Sequence, residues 1–429
     1  LSKEKYSPYS KKNPQGISYP LDLVTENALN FVERNKAQPF FLYLAHWMVH
    51  TPIITKNKAL LEHYTDKLGL PFPDSAAPIS TLGQTNPFYG AMVTTVDWSL
   101  GRLVSLLEKT DDPRNPGKKL IDTTYIFFSS DNGGAERSGP EMITDNLPLD
   151  KGKQFTQEGG IRVPMVVTGP TVMKNANHHG IVNQLDYYPT ILALTDSKIA
   201  KQDKDKLSGL NLSAVLNDDN KKVLDQNGEV RKNLFWHFPH NLDNTMRGAI
   251  REGDFKLYKY YLDNSYSLYR LYKDGKRLDL EEKNDLATLP EYSEVVKELS
   301  TNLDVLLKEN NALYPHLNPE HKGNAGTRML APDIVFNSFN EKKRQAEISL
   351  AAGKTKLKEA YLLVEIAKTK GSDKREKTGK LVVTYKKLPV EINHKVMTVT
   401  GEVPEGHNAY VFVLIDENNF LVKSERYEI

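Results

Sequence analysis

Residues 123–134 read Thr-Thr-Tyr-Ile-Phe-Phe-Ser-Ser-Asp-Asn-Gly-Gly, a β-branched and aromatic run that stops on a carboxylate, an amide and two glycines. Short apolar runs bounded by turn residues read as buried strands. The run therefore predicts a strand over 123–129, with Asp131 and Asn132 leaving its carboxyl end side by side. Ligands of open α/β sheets bind off that end of the strands. Both residues offer hard oxygen donors of the kind Ca²⁺ and Mg²⁺ take, and the glycines let backbone approach closely. Asp-Asn-Gly is equally ordinary turn chemistry, and the stretch taken alone favours that plainer reading.

Working outward, Tyr89–Lys109 has helical spacing and enters the strand through a Pro/Gly/Asp-rich loop at 111–118. Upstream, Leu21–Arg34 places Leu21, Val24, Ala28 and Phe31 on one helical face, and Pro39–Ala45 is an apolar run of buried-strand length. Downstream come a strand at Val163–Thr168 and a helix at Tyr188–Leu194. Alternating helix and strand predicts an α/β fold with a mixed central sheet flanked by helices. From about residue 200 the texture changes. Lys201–Lys206 reads as a solvated linker, Ala249–Tyr261 and Tyr266–Tyr272 as paired strands with turns at 252–254 and 263–264, and Ser293–Lys308 as a helix closing a small antiparallel sheet. After the Pro/Gly/Asn-rich stretch 315–332, the run from Ile334 is read as a helix, followed by β segments at 360–368, 380–388, 395–403 and 409–423. The expected division is 1–200 as an α/β catalytic portion, 201–320 as the antiparallel subdomain, and 321–429 as a linker plus a β-sandwich-like accessory module. The charged stretch 368–380 reads as a solvated hairpin tip.

The chain has 429 residues, enough for two or three domains at about 150 residues each. Lys and Arg number 57 against 55 Asp and Glu, a net charge of 57 − 55 = +2. No global field calls for nucleic acid, so an anionic partner must be met locally. No apolar run approaches the roughly 18 residues of a membrane helix. Zero cysteines exclude disulfides, thiolate metal sites and a cysteine nucleophile within these residues. The start, Leu1-Ser2-Lys3, has neither Met nor a signal-peptide pattern, and residues 1–20 read as a connecting segment that something precedes.

Two further strand ends carry chemistry. Ala45-His-Trp-Met-Val-His50-Thr-Pro52 puts two histidines and a tryptophan past the 39–45 run; a histidine there can donate to an anion or a leaving oxygen, and His46 is read as structural. Leu147-Pro-Leu-Asp-Lys-Gly-Lys153 and Gln157-Glu-Gly-Gly-Ile-Arg-Val-Pro164 place lysines before a Gly-Gly turn, although an isolated lysine is usually a solvated surface charge.

In order and company these blocks resemble the type I sulfatase family of the alkaline phosphatase superfamily. The resemblance runs through most of 17–320, in PFFLYLAHWMVHTP (39–52), YGAMVTTVDWSLGRL (89–103), FSSDNGG (128–134), LPLDKGKQFTQEGGIRVP (147–164), QLDYYPTILAL (184–194), LFWHFPH (234–240) and AIREGDFKLY (249–258). It implies that Asp131 and Asn132 are metal ligands, with Ca²⁺ expected and Mg²⁺ the alternative. It implies that His50 binds the sulfate and assists the leaving oxygen, and that Lys153 contacts the sulfate. Trp47, His237 and His240 are implied as substrate contacts only, and Asp186 reads as a helix cap. Where the family commonly has Arg-Gly-Gly-Lys, this chain has Asp150-Lys-Gly-Lys153.

The family's formylglycine nucleophile arises in a Cys/Ser-x-Pro-x-Arg signature, and that signature does not occur in these residues. Also missing are the paired aspartates and the Gly-Lys-Trp-His-Leu-Gly block that lie upstream in relatives. The expectation is thus the downstream portion of a metal-assisted sulfuric ester hydrolase acting on a sulfated carbohydrate or an aryl sulfate, periplasmic or secreted, with no nucleic acid partner and no membrane span. A sulfate ester is a stable anion whose hydrolysis needs a cation, cationic donors, a nucleophile and an acid for the leaving alcohol. Two rivals are a phosphodiesterase or phosphonate hydrolase of the same superfamily and a catalytically inactive glycan-binding protein. The 429 residues by themselves are predicted to give no turnover of aryl sulfates; measurable sulfate release by this chain would refute that.

Overall fold

The anchoring strand is shorter than its sequence suggests. In the computed structural model, which describes residues 22–55, 57–72, 83–198, 207–240, 246–261, 263–321, 331–351, 356–370 and 381–429, strand β1 spans Ile126–Ser129. Thr123 and Thr124 stay out of it because their hydroxyls bond back to Leu120 O (3.2 and 2.6 Å), closing a 3₁₀ turn at Leu120–Thr123. β1 is half-buried, with Phe128 36% exposed. A hairpin of β2 (Arg137–Ser138) and β3 (Glu141–Met142) follows, and β4 (Met165–Thr168) pairs antiparallel with β1, Ile126 opposite Thr168.

The run 39–45, expected as a buried strand, forms no strand among the described residues. Only its alternate side chains find partners: Phe40 and Leu42 pack with Val32, Leu107, Leu120 and Ile126, while Phe41 and Tyr43 stay 67% and 81% exposed. Three helices flank this run in sequence: α1 (Leu23–Asn35), α2 (Lys58–Leu68) and α3 (Pro87–Lys109). Each begins on a polar cap, Asp22, Asn57 and Asn86, and α3 has Pro87 in its first turn where the missing N–H costs nothing. α1 is fastened to α3 by Thr25 Oγ1 and Ser99 Oγ at 2.6 Å and by the Glu26–Arg102 ion pair. Three short helices complete this part, α4 (Glu158–Ile161), α5 (Tyr187–Leu194) and α6 (Ser213–Asn217).

A four-stranded antiparallel sheet follows in the order β5 (Asn233–Phe238), β6 (Arg247–Glu252), β7 (Phe255–Tyr260), β8 (Tyr266–Arg270). A small hairpin, β9 (Tyr272–Lys273) and β10 (Lys276–Arg277), extends from it. The expected closing helix runs Ser293–Glu309 and lays Leu299, Leu303 and Leu307 on Ile250, Leu257 and Leu268. Gly248 is needed there, since a Cβ would lie 2.6 Å from the Tyr261 hydroxyl. The architecture is mixed α/β, with helices and several small antiparallel sheets. The boundary expected near residue 200 lies on 199–206, outside the described residues, as do 1–21 and most of the charged stretch 368–380.

By contact density the chain forms two units, Leu1–Ala312 and Leu313–Ile429. The second contains the sheet β11 (Ile334–Asn340), β12 (Gln345–Leu350), β16 (Thr398–Glu402), β15 (Glu391–Asn393), and the sheet β14 (Leu381–Pro389), β13 (Leu357–Lys370), β17 (Ala409–Asp416), β18 (Leu421–Lys423), with β19 (Tyr427–Glu428) also on β17. Ile348 and Val399 of one sheet share a core with Leu362, Phe412 and Leu414 of the other, as in a β-sandwich. The run from Ile334, read as a helix, is therefore an edge strand; a register shift between Ile334 and Phe336 breaks the two-residue alternation that marks strands. Among the described residues no helix is long and apolar enough to cross a membrane.

Asp22 joins α1 to the histidine loop, because His46 Nε2 lies 3.0 Å from Asp22 Oδ2. Burial pushes the Asp22 carboxyl up, but the His46 imidazole 3.0 Å away and the hydrogen bonds from Thr25 N and Oγ1 outweigh it and hold the group down at about 2. A depressed carboxylate stabilises the fold above the ordinary aspartate range and loses that contribution as pH falls toward 2. Asp22→Asn should thus remove roughly 2 kcal/mol at neutral pH and flatten the loss of stability between pH 5 and 2, measured by urea unfolding. An unchanged acid limb would contradict this assignment.

Candidate active site

At the end of β1 the chain turns through Ser130, Asp131 and Asn132. Ser130 Oγ donates to Asn132 O (2.7 Å), and Asn132 N donates to the Asp131 carboxylate (2.9 Å). Gln184, at the start of the turn that leads into α5, reaches across to Ser130 O (2.6 Å) and Asp131 O (3.1 Å). These bonds fix the main chain but leave Asn132 Oδ1 buried with no hydrogen-bond partner among the described residues. An orphaned buried oxygen is costly unless a ligand supplies the missing positive charge.

Glycine backbone surrounds this turn. Gly133 N donates to Gly160 O (2.9 Å), Lys153 N to Gly134 O (3.1 Å), and Gly159 N to Asp150 O (2.8 Å). The approach is so close that a Cβ on Gly133 would sit 1.6 Å from Gly159 O, and one on Gly152 2.1 Å from Gly134 O. Asn146 locks the frame, accepting from Gly134 N (3.0 Å) and donating to Gly134 O (2.9 Å) and Lys151 O (3.0 Å). Lys153, half-buried, is thereby attached two residues beyond Asn132, so three of the expected site residues share one peptide frame.

His50 is carried by a loop with the same anchorage. Met48, Val49 and Ile53 pack in one apolar cluster with Phe88, Ile143 and Ala135, the residue after Gly134. His50 itself is exposed, with Nδ1 3.0 Å from Thr51 O. Thr51 Oγ1 lies 3.3 Å from the same nitrogen, so both Thr51 contacts engage Nδ1 and Nε2 is left for a ligand.

The frame is tied to the antiparallel sheet through buried charge. Glu158, first residue of α4, receives Lys256 Nζ on Oε1 at 2.8 Å, and the same ammonium reaches Glu282 Oε1 at 2.9 Å. Glu158 N also donates to Glu282 Oε1 (3.1 Å), and Tyr258 donates to Glu282 Oε2 (2.6 Å). Arg247 Nε reaches Thr156 Oγ1 (2.8 Å), and its Nη2 bonds Gln157. Lys256 is 0% exposed. Burial pushes both carboxyls up; for Glu158 the charges of Lys256, Arg251 and Arg162 prevail and lower it, whereas Glu282 stays raised. Strand alternation puts Lys256 and Tyr258 on the face opposite Leu257 and the closing helix.

The remaining candidates are more distributed. Trp47 is 39% exposed. His237 lies opposite Gly248, on the helix-covered face, with Nδ1 2.7 Å from the Tyr261 hydroxyl; His240 is exposed against Phe238. Asp186 accepts from Asn183 N (2.7 Å) as a cap, and Arg231 grips it at 2.6 and 2.7 Å. Asn146, Gln184 and the Glu158–Lys256–Glu282 group were not singled out from sequence. The one available signal was Lys256 within an apolar strand, on the same face as Tyr258.

The donors fit a hard cation: an adjacent carboxylate and an unpartnered amide oxygen, in a cradle that side chains would fill. Among the described residues no three His, Asp or Glu side chains gather to hold a metal, so Asp131 and Asn132 are at most part of a six-to-eight-ligand shell.

The family model described as Sulfatase matches residues 2–197, and the model described as N-sulphoglucosamine sulphohydrolase, C-terminal, matches 150–309. A sulfatase of Formosa agariphila is 31% identical over 292 residues, covering 66% of this chain and 47% of that protein. The uncharacterized sulfatase YdeN of Escherichia coli is 28% identical over 335 residues, 68% of this chain and 52% of its own length. Human N-acetylgalactosamine-6-sulfatase is 32% identical over 193 residues, 44% of this chain and 31% of that protein. The chain thus spans about half the length of the first two of these relatives.

Because Gly133 meets backbone rather than a movable side chain, Gly133→Ala should destabilise the chain by about 2 kcal/mol or more. Gly101→Ala, in α3 with nothing within 4 Å, should be neutral or stabilising. Urea unfolding of the two variants checks this; equal midpoints would contradict the close packing.

Proposed function

This chain belongs to the type I sulfatase family, and from that premise we propose that it is part of a sulfuric ester hydrolase that removes sulfate from a sulfated carbohydrate. The observation that carries the reading is the unpartnered Asn132 oxygen beside Asp131, held in the same peptide frame as Lys153. In the proposed reaction Asp131 and Asn132 hold one side of a divalent cation, Ca²⁺ or alternatively Mg²⁺. When bound, that cation supplies positive charge against the sulfate oxygens.

Lys153 places an ammonium on the sulfate and offsets charge that builds on its oxygens. His50 donates from Nε2 in its protonated form, first to the sulfate and then to the leaving alcohol oxygen. Its Nδ1 contact to Thr51 O keeps the ring turned so that Nε2 is the acting nitrogen. The nucleophile is proposed to be a formylglycine contributed by residues outside these 429. A carbohydrate substrate is supported by the human relative named for N-acetylgalactosamine-6-sulfate and by Trp47, whose exposed ring suits a sugar face.

The test uses the polypeptide that joins these residues to the nucleophile signature, assayed on sulfated sugars, aryl sulfates and aryl phosphates. Sulfate release should exceed phosphate release, and His50→Ala and Lys153→Ala should each lower kcat/KM by about 10²–10³-fold. Faster phosphate release, or full activity in both variants, would overturn the proposal.

A further inference from the structure

The helical turn α4 has four residues, and two of them lie against Gly133, the residue after the Asp131–Asn132 turn: Gly160 O accepts from Gly133 N, and Gly159 O lies where a Gly133 Cβ would go. A single turn with two glycines has little stability of its own. Nor can glycines be steered by side-chain packing, so their position must be imposed from the residues beside them. Glu158 is the neighbour with the strongest tethers: its amide is held by Glu282 and its carboxylate by Lys256. Lys256 also holds Glu282, so one ammonium fixes both ends of the Glu158 restraint. From Lys256 the connection runs through Glu158 to Gly160 O, then to Gly133 N, the residue bonded to Asn132.

We propose that Lys256 is a positioning residue for the cation half-site: through Glu158 and the Gly159–Gly160 peptides it holds Gly133, and so sets where the Asn132 oxygen points. The inference rests on the proposed cation role of Asp131 and Asn132. Lys256 touches neither cation nor substrate and acts through the backbone alone. Without it, two buried carboxylates would face each other with their shared counter-charge gone, and the turn would shift to separate or rehydrate them.

The experiment is a Ca²⁺ titration by calorimetry on the same joined polypeptide, with unfolding followed in parallel. Asn132→Ala first tests the half-site: wild-type binding that this variant weakens upholds it, and absent or unaltered binding defeats both the half-site and the positioning role. Lys256→Met should then weaken Ca²⁺ affinity about tenfold or more, as orienting partners of metal ligands do. Lys259→Met removes the pair with Asp304 (2.6 Å) on the helix-covered face of the same strand, and should lower stability while leaving affinity within about twofold. If Lys256→Met does not fold, Glu282→Gln, which keeps the shape and removes one of the two charges Lys256 bridges, should weaken Ca²⁺ binding in the same direction. Undiminished affinity in the folded variant, or an equal loss in Lys259→Met, would overturn the positioning role even with the half-site intact.

Discussion

One ammonium group, buried between two carboxylates, is the interaction on which the candidate site depends. Lys256 reaches Glu158 and Glu282 at 2.8 and 2.9 Å from a strand that otherwise serves an apolar core. A charge so enclosed persists only when it is paired and hydrogen-bonded on every side, and removing one partner of such a group costs about 3–5 kcal/mol. The pairing is therefore strict about geometry. It ties the four-stranded sheet, backed by Leu299, Leu303 and Leu307, to the turn that carries Gly159 and Gly160.

The two faces of the small sheet divide the labour. The face carrying Gly248, Ile250 and Leu257 meets the closing helix and supplies apolar burial. The face carrying Arg247, Lys256 and Tyr258 meets Thr156, Gln157 and Glu158. Stability enters on one side and orientation leaves on the other. In the proposed cation role the Asn132 oxygen needs such a support, because no hydrogen bond within the described site holds that oxygen in place.

Much of this was legible locally. The β1 strand and its Asp131-Asn132 exit follow from an apolar run with a sharp polar end, and α3 from helical spacing over 89–109. The hairpin at 252–254 and the closing helix announce themselves by Gly253 and by leucines at helical spacing. What failed to show was decided by partners remote in sequence. Residues 39–45 have strand-like composition but only one supported face, and Ile334–Phe336 hides a strand behind an irregular register. The Lys256–Glu158 pair spans 98 residues, so no local pattern could join its halves. Asn132 was chosen by its residue type, yet the reason it suits a cation, an oxygen left without a donor, exists only once the chain is folded.

The peptide frame around Gly133 and Gly134 has a further consequence. Its clamps at 150, 153, 159 and 160 are made by main-chain atoms, and Asp150 contributes its carbonyl, not its carboxylate. The identity of the side chain at 150 is thus mechanically silent: arginine, aspartate or another residue would offer the same carbonyl to Gly159. Position 150 can therefore be exchanged while the main-chain clamp behind it stays in place. The loop separates the atoms that hold the frame, which every residue type carries, from the side chain at 150, which the frame leaves free to vary.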